Sequence, residues 1–207
     1  MDSLSSVSTP PPAPTVRLLG DIACPWSYLT LISLHRAFGQ ELRLEWHPFV
    51  LELRDLVRQR TRLLEAVNRY ARQLEAPFAA AALLAPIDSR RVHATLLAAA
   101  PDQVAAVAAA LFEARFAQAS ALSDRHAIET ALAAKFGAVY ATTLLAGSTA
   151  RLEMVDRADR AARIAGVAEI PVSVLDDAYV IAGLQPPEAF LGLAELAAVA
   201  RGLKERK

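Results

Sequence analysis

Apolar and polar positions change rhythm three times along the chain. Val16 to Ile22 is a short β-branched and leucine-containing run with Asp21 at its end, and it predicts a strand. From Ser27 to Phe38 the apolar residues fall at Leu31, Leu34 and Phe38, a helical spacing, with Gly39 just past the end. Leu42-Arg43-Leu44-Glu45-Trp46 alternates strictly, which puts Leu42, Leu44 and Trp46 on one face of a second strand. Strand, helix and strand within about 30 residues make a βαβ unit.

From about residue 51 to 166 no stretch alternates. Val104, Val107, Ala108 and Leu111 recur at helical spacing, as do Ile128, Leu132 and Phe136. Pro77, Pro86, Pro101, Ser123-Asp124 and Gly137 punctuate about five helices, and Gly166 closes the last. The alternating texture then returns. Val172 to Leu175 and Tyr179 to Ala182 predict two short strands around an Asp176-Asp177 turn, and Pro186-Pro187 open a final helix through Leu203. The expected architecture is α/β: β-α-β from residues 16–50, a helical insertion at 51–166, and β-β-α from 167–207. The start, residues 1–15, carries Pro10, Pro11, Pro12 and Pro14 and is expected to be a disordered tail.

Composition narrows the function. The 207 residues include 22 basic and 22 acidic side chains, and a net charge of zero argues against a general nucleic-acid or acidic-membrane binder. Alanine supplies much of the 54% hydrophobic content, in keeping with the helical block. The longest apolar run, Ala76 to Ile87, contains Pro77 and Pro86 and falls short of the roughly 20 residues a membrane span needs. The single cysteine excludes an internal disulfide or a cysteine-based zinc cluster. With no secretory signal pattern in the first fifteen residues, it points to a reducing cytoplasm.

That cysteine is also the candidate chemistry. Cys24 falls between the first strand and the first helix, where unpaired backbone N–H groups and the positive end of the helix dipole would lower its pKa and favour the thiolate. Pro25 fits the first helical turn, where its missing N–H costs nothing. The competing reading is that a lone cysteine is a small buried hydrophobe. Ile170-Pro171 precedes the third strand. Proline is tolerated at such a position, and the functional alternative is a cis-proline that holds backbone opposite the thiol for an extended substrate. Trp26 and Tyr28 are either packing residues or a substrate-facing rim.

The segment Asp21-Ile22-Ala23-Cys24-Pro25-Trp26-Ser27-Tyr28 resembles the start of the thioredoxin-fold DsbA family, in particular its cytoplasmic FrnE-like branch. Trp46-His47-Pro48-Phe49, Gly166-Val167-Ala168-Glu169-Ile170-Pro171-Val172 and Gly183-Leu184-Gln185-Pro186-Pro187-Glu188-Ala189-Phe190 continue the likeness in the family's order. The resemblance implies a thioredoxin-like fold with a helical insertion. It also implies Cys24 as nucleophile, Pro171 as the cis-proline beside it, and Pro25, Trp26, Tyr28 and Ile170 as the substrate-facing surroundings.

Two departures shape the mechanism. Ser27 stands where the family's second cysteine belongs, and a hydroxyl cannot resolve a mixed disulfide. Cys24 would then act as a monothiol, with Ser27 donating to its sulfur and an external thiol, such as glutathione, completing the cycle. Glu169 replaces the usual glycine and would put a carboxylate near the site, against thiolate formation. The chain is also similar to 2-hydroxychromene-2-carboxylate isomerases and kappa-class glutathione transferases, which share the fold and insertion but use serine at the position of Cys24. A third alternative is a redox-inactive binding or dimerisation module.

The partners expected are a thiol or disulfide substrate, glutathione as co-substrate and, from the resemblance and the apolar helices, a second copy of the chain. No metal or other cofactor is required: His35, His47, His93 and His126 are scattered without a ligand spacing. Arg54, Arg58, Arg60, Arg62, Arg69 and Arg72, interleaved with Asp55, Glu65 and Glu75, read as a solvated helix surface that could also attract glutathione carboxylates.

Overall fold

The computed structural model describes residues 14–51 and 60–204. Residues 1–13 of the proline-rich start, together with Arg54 and Arg58, lie outside them, and Thr15, expected to end the tail, is instead the first residue of a strand. Strand β1 runs Thr15–Gly20, helix α1 Pro25–Phe38 and strand β2 Arg43–Pro48. Between β2 and the next strand the described elements are helical: α2 Arg60–Gln73, α3 Ser89–Ala98, α4 Val104–Phe112, α5 Arg125–Phe136, α6 Ala138–Ser148 and α7 Leu152–Ile164. A π-helical turn, Glu113–Ala117, continues α4. Strands β3 Val172–Leu175 and β4 Tyr179–Ala182 follow, and α8 Pro187–Lys204 ends the described chain.

The four strands form one sheet in the order β2-β1-β3-β4. β1 pairs parallel with β2 and antiparallel with β3, and β3 pairs antiparallel with β4. This is the thioredoxin-like α/β arrangement expected, with the helical block inserted between β2 and β3. Alternation along the strands buries Val16, Leu18, Leu44, Trp46, Leu175 and Ile181 in one core, which α1 joins through Leu29, Leu31 and Leu34 and α8 through Phe190. The helix α4 packs on both β2 and α1, so the insertion shares this core.

Several boundaries move for identifiable reasons. The first strand stops at Gly20, two residues early, because the Asp21 carbonyl accepts the Cys24 N–H at 2.9 Å and turns the chain. The first helix starts at Pro25, with Cys24 as its N-cap. β2 runs on to Pro48, which an edge strand admits because its outer side carries no ladder hydrogen bonds. The five helices expected in the insertion become six among the described residues, since Gly137 (φ 85°, ψ 156°) separates α5 from α6 with no intervening loop. The run Ala76 to Ile87 forms only a short 3-10 turn, Ala80–Leu84. Gly166 (φ 84°) ends α7 as expected, with the Val167 N–H returning to the Ala162 carbonyl. Asp176 and Asp177 both have positive φ and, with Ala178, form the three-residue loop of the β3–β4 hairpin, in which Leu175 pairs with Tyr179.

Candidate active site

The pairing register brings the candidate residues together. Leu19 of β1 faces Val172 of β3, so Pro171 lies one step further on, beside Gly20 where β1 enters the Cys24 turn. The Ile170–Pro171 peptide is cis. Pro171 is buried and Ile170 half-buried.

Cys24 is 3% exposed. Burial pushes its thiol up to about 11. The N–H and hydroxyl of Ser27 and the N–H of Trp26 pull it down, and the Asp21 carboxylate pushes it further up. This reverses the expected thiolate. A helix N-terminus contributes at most about 2 kcal/mol, roughly one and a half pK units, whereas full burial of a charge moves a pKa by up to about 3–5 units. The opposing carboxylate is that of Asp21, and Glu169 is exposed.

Ser27 is fully buried and sits beneath β1. Its Oγ accepts the Asp21 N–H at 3.4 Å. A Cβ at Gly20 would stand 2.9 Å from that oxygen and 3.2 Å from the Trp46 ring, so the glycine is required by close approach.

Tyr28 is not a rim residue. It is 4% exposed, its hydroxyl donates to the Pro77 carbonyl at 2.7 Å, and its ring stacks on Phe116 at 5.2 Å and meets Phe112 at 5.8 Å. One helical turn past the N-cap, its side chain is directed at the insertion, where it anchors the loop before the 3-10 turn. Trp26 is half-buried with its ring edge-on to Tyr70 of α2 at 5.7 Å, and Pro25 is buried.

Asp21 is the residue whose role the sequence did not disclose. Fully buried, it accepts the Ala23 N–H at 2.8 Å and the Ser89 hydroxyl at 2.8 Å on Oδ1, and the Leu51 N–H at 2.7 Å on Oδ2. Burial opposes its ionisation, but His93 and the Ala23 and Leu51 N–H groups outweigh burial and hold its carboxyl below the ordinary carboxylate range. His93, also fully buried, accepts the Trp46 Nε1–H on Nδ1 at 2.9 Å. Its own proton is therefore on Nε2, which faces Asp21 Oδ1 at 3.6 Å. The available signals were a polar residue ending a buried strand and a histidine set among Val92, Ala94 and Leu96.

Among the described residues no cluster of His, Cys, Asp or Glu could hold a metal ion, and no helix is long and apolar enough to cross a membrane. Two cavities flank α1. One, of about 370 Å³, is bounded by Arg36, Tyr70 and the Leu184–Glu188 segment, and the other, about 340 Å³ and mostly apolar, by Tyr28, Ile32, His35 and Phe112. Arg62, Arg69 and Arg72 are exposed on α2, as the charge pattern suggested.

A structure of this kind has known relatives. A probable DsbA oxidoreductase from Streptomyces coelicolor superposes with a TM-score of 0.66 at 21% identity, covering 89% of this chain and 90% of the other. A 2-hydroxychromene-2-carboxylate isomerase matches with a TM-score of 0.67 at 20% identity over 93% and 99%. The cytosolic disulfide reductase DsbM from Pseudomonas aeruginosa matches at 0.63 and 20% over 93% and 98%, and at 0.60 and 21% over 93% and 100% in its structure with GSH. No curated protein sequence matches the chain. The family model of the DSBA-like thioredoxin domain matches residues 15–194, and the chain belongs to that family.

Proposed function

We propose that the protein is a thiol–disulfide oxidoreductase of the DsbA type that works through Cys24 as a monothiol, with glutathione as the resolving thiol. The observation that carries this reading is the place of the chain's single cysteine: the N-cap of α1, at the end of β1 that also meets the cis Ile170–Pro171 bond. The similarity to DsbM, a disulfide reductase also solved with GSH, supports glutathione as the co-substrate class and a cytoplasmic setting.

The cycle balances with one protein sulfur. The Cys24 thiolate attacks a disulfide, forming one mixed disulfide and expelling one thiolate. A glutathione thiolate then attacks the mixed disulfide and restores Cys24. Over the two steps one sulfur of the disulfide leaves as a thiolate and the other leaves in a disulfide with glutathione, which is oxidised glutathione itself when the substrate is a glutathione adduct. The Ser27 hydroxyl and N–H lower the cost of the thiolate in each step.

Incubation with oxidised glutathione followed by intact mass measurement tests this. A single glutathione adduct is expected, absent in Cys24→Ser and discharged by reduced glutathione. No adduct on the wild-type chain refutes the reading. The similarity to 2-hydroxychromene-2-carboxylate isomerase supports a second reading, a glutathione-dependent isomerase. Turnover of a hydroxychromene carboxylate with glutathione, without disulfide turnover, would select it.

A further inference from the structure

We propose that the apolar cavity between α1 and α4 is a binding site for a small organic ammonium, whose apolar body fills the cavity and whose cationic head lies at Glu113. Cys24 does not line this cavity, and neither the proposal nor its test depends on how that thiol is used.

The cavity has the size and the walls of a ligand pocket. Its volume of about 340 Å³ is at the lower end of the roughly 300–1,000 Å³ of small-molecule sites, which suits one ring or a short chain. Tyr28, Leu31 and Phe112 are buried and form its interior. Ile32, Pro77 and Ala109 complete the apolar walls. Helix α1 belongs to the thioredoxin-like part and α4 to the insertion, so the cavity lies at the seam of the two, a common place for a ligand.

The polar groups at the mouth select the sign of that ligand. His35 Nδ1 lies 3.0 Å from the Leu31 carbonyl, which can only accept. The ring proton is therefore on Nδ1, and neutral His35 offers Nε2 as an acceptor. The Tyr28 hydroxyl already donates to the Pro77 carbonyl. Arg36, the arginine of the rim, is paired through Nη2 with Glu75 at 3.3 Å. Glu113 is exposed, and its carboxylate pairs with no other described residue. Its charge reaches the cavity wall, where it helps to raise the Tyr28 phenol. Lys135 approaches Glu113 only in a separate cavity of about 120 Å³. The mouth thus presents two open acceptors, one of them charged, beside a cation that is already neutralised. An ammonium can donate to either acceptor, whereas a carboxylate would meet the charge of Glu113.

The test is an NMR titration of the isotope-labelled full chain at neutral pH with 4-phenylbutylamine and with 4-phenylbutyrate, which share an apolar body and carry opposite charges. The amine is expected to give saturable amide shifts in Leu31–Arg36 and Ala109–Glu113, with a dissociation constant of roughly 1–5 mM or tighter for a probe of this size. The acid is expected to bind at least about fivefold more weakly, the upper range for one exposed ion pair. Glu113→Gln should bring the two probes to within about twofold of each other. Ala109→Leu, which grows a helix-compatible side chain into the cavity, should remove the binding of both.

Equal binding of the two probes, or a preference for the acid, overturns the proposal. So do shifts confined to other surfaces, no saturation by the amine up to about 10 mM, or wild-type affinity in Ala109→Leu. If circular dichroism shows that Ala109→Leu does not fold, Glu113→Gln decides, and an unchanged preference for the amine in that variant refutes the assignment.

Discussion

Cys24 and Asp21, three residues apart, are buried with opposite ionisation preferences. Fold stability is therefore linked to pH from both ends. The Asp21 carboxyl is held below its unfolded value, so its contribution is present above the unfolded carboxylate pKa and is lost as pH falls through the folded one. The Cys24 thiol is raised from 9.0 to about 11, so the native state binds its proton more tightly. Its contribution is complete below pH 9 and is lost between about 9 and 11, amounting to roughly 2–3 kcal/mol. Urea unfolding of the wild type should weaken over that window, and Cys24→Ala should flatten it. Tyr28, raised from 10.0 to about 12 by burial and by the Glu113 charge, adds its own decline between about 10 and 12 in both proteins, so the difference between the two chains reports Cys24. Equal slopes in the two chains would refute the assignment. Cys24, Ser27 and Pro171 were legible in the sequence because neighbours in the chain and a proline before a strand mark them. The thiol's acidity was not, because burial comes from residues brought in by the fold. Asp21 likewise draws its partners from 30 and 68 residues away.

At the scale of elements, alternation and turn chemistry were reliable where the chain is short and local. β3 and β4 have the ends that the pattern around Asp176-Asp177 implies. That hairpin is further tied by the Thr15 N–H to Asp176 and by the ion pair of Arg201 with Asp176. The insertion was less legible, because an alanine-rich helix gives little amphipathic contrast and its breaks fall on single residues. Gly137 and Gly192 make the point testable. Gly137 holds φ 85° and ψ 156°, a conformation open almost only to glycine, with free space where a Cβ would go. Gly137→Ala should cost about 1–3 kcal/mol from backbone strain alone. Gly192 lies inside α8, also with space for a Cβ, and Gly192→Ala should gain about 0.5–1 kcal/mol. Urea denaturation distinguishes the two, and a stabilising Gly137→Ala would contradict the αα junction described.

At the scale of the whole molecule, the decisive number is the cysteine count of one. The sheet, the cis-proline segment and the α1 N-cap meet at one end of β1, where the single thiol is at Cys24 and position 27, three residues on, holds a hydroxyl. If the chain is a monothiol oxidoreductase, the mixed disulfide at Cys24 waits for a thiol from solution, and its lifetime depends on glutathione concentration. Ser27→Cys should change the kinetic order of that step. A thiol at position 27, on the same helical turn as Cys24 and within reach of its sulfur, would displace the bound partner intramolecularly. Intramolecular attack carries an effective concentration far above any cellular thiol, so the adduct lifetime should shorten by more than about 100-fold and lose its dependence on glutathione. The crowding at Gly20, where the Ser27 oxygen already lies 2.9 Å from a would-be Cβ, works against the larger sulfur. Circular dichroism and urea unfolding of the variant would show whether the turn accommodates it. A folded Ser27→Cys chain whose adduct still decays in proportion to added glutathione would show that the two positions do not act on one sulfur, and would remove Ser27 as the group that eases thiolate formation at Cys24.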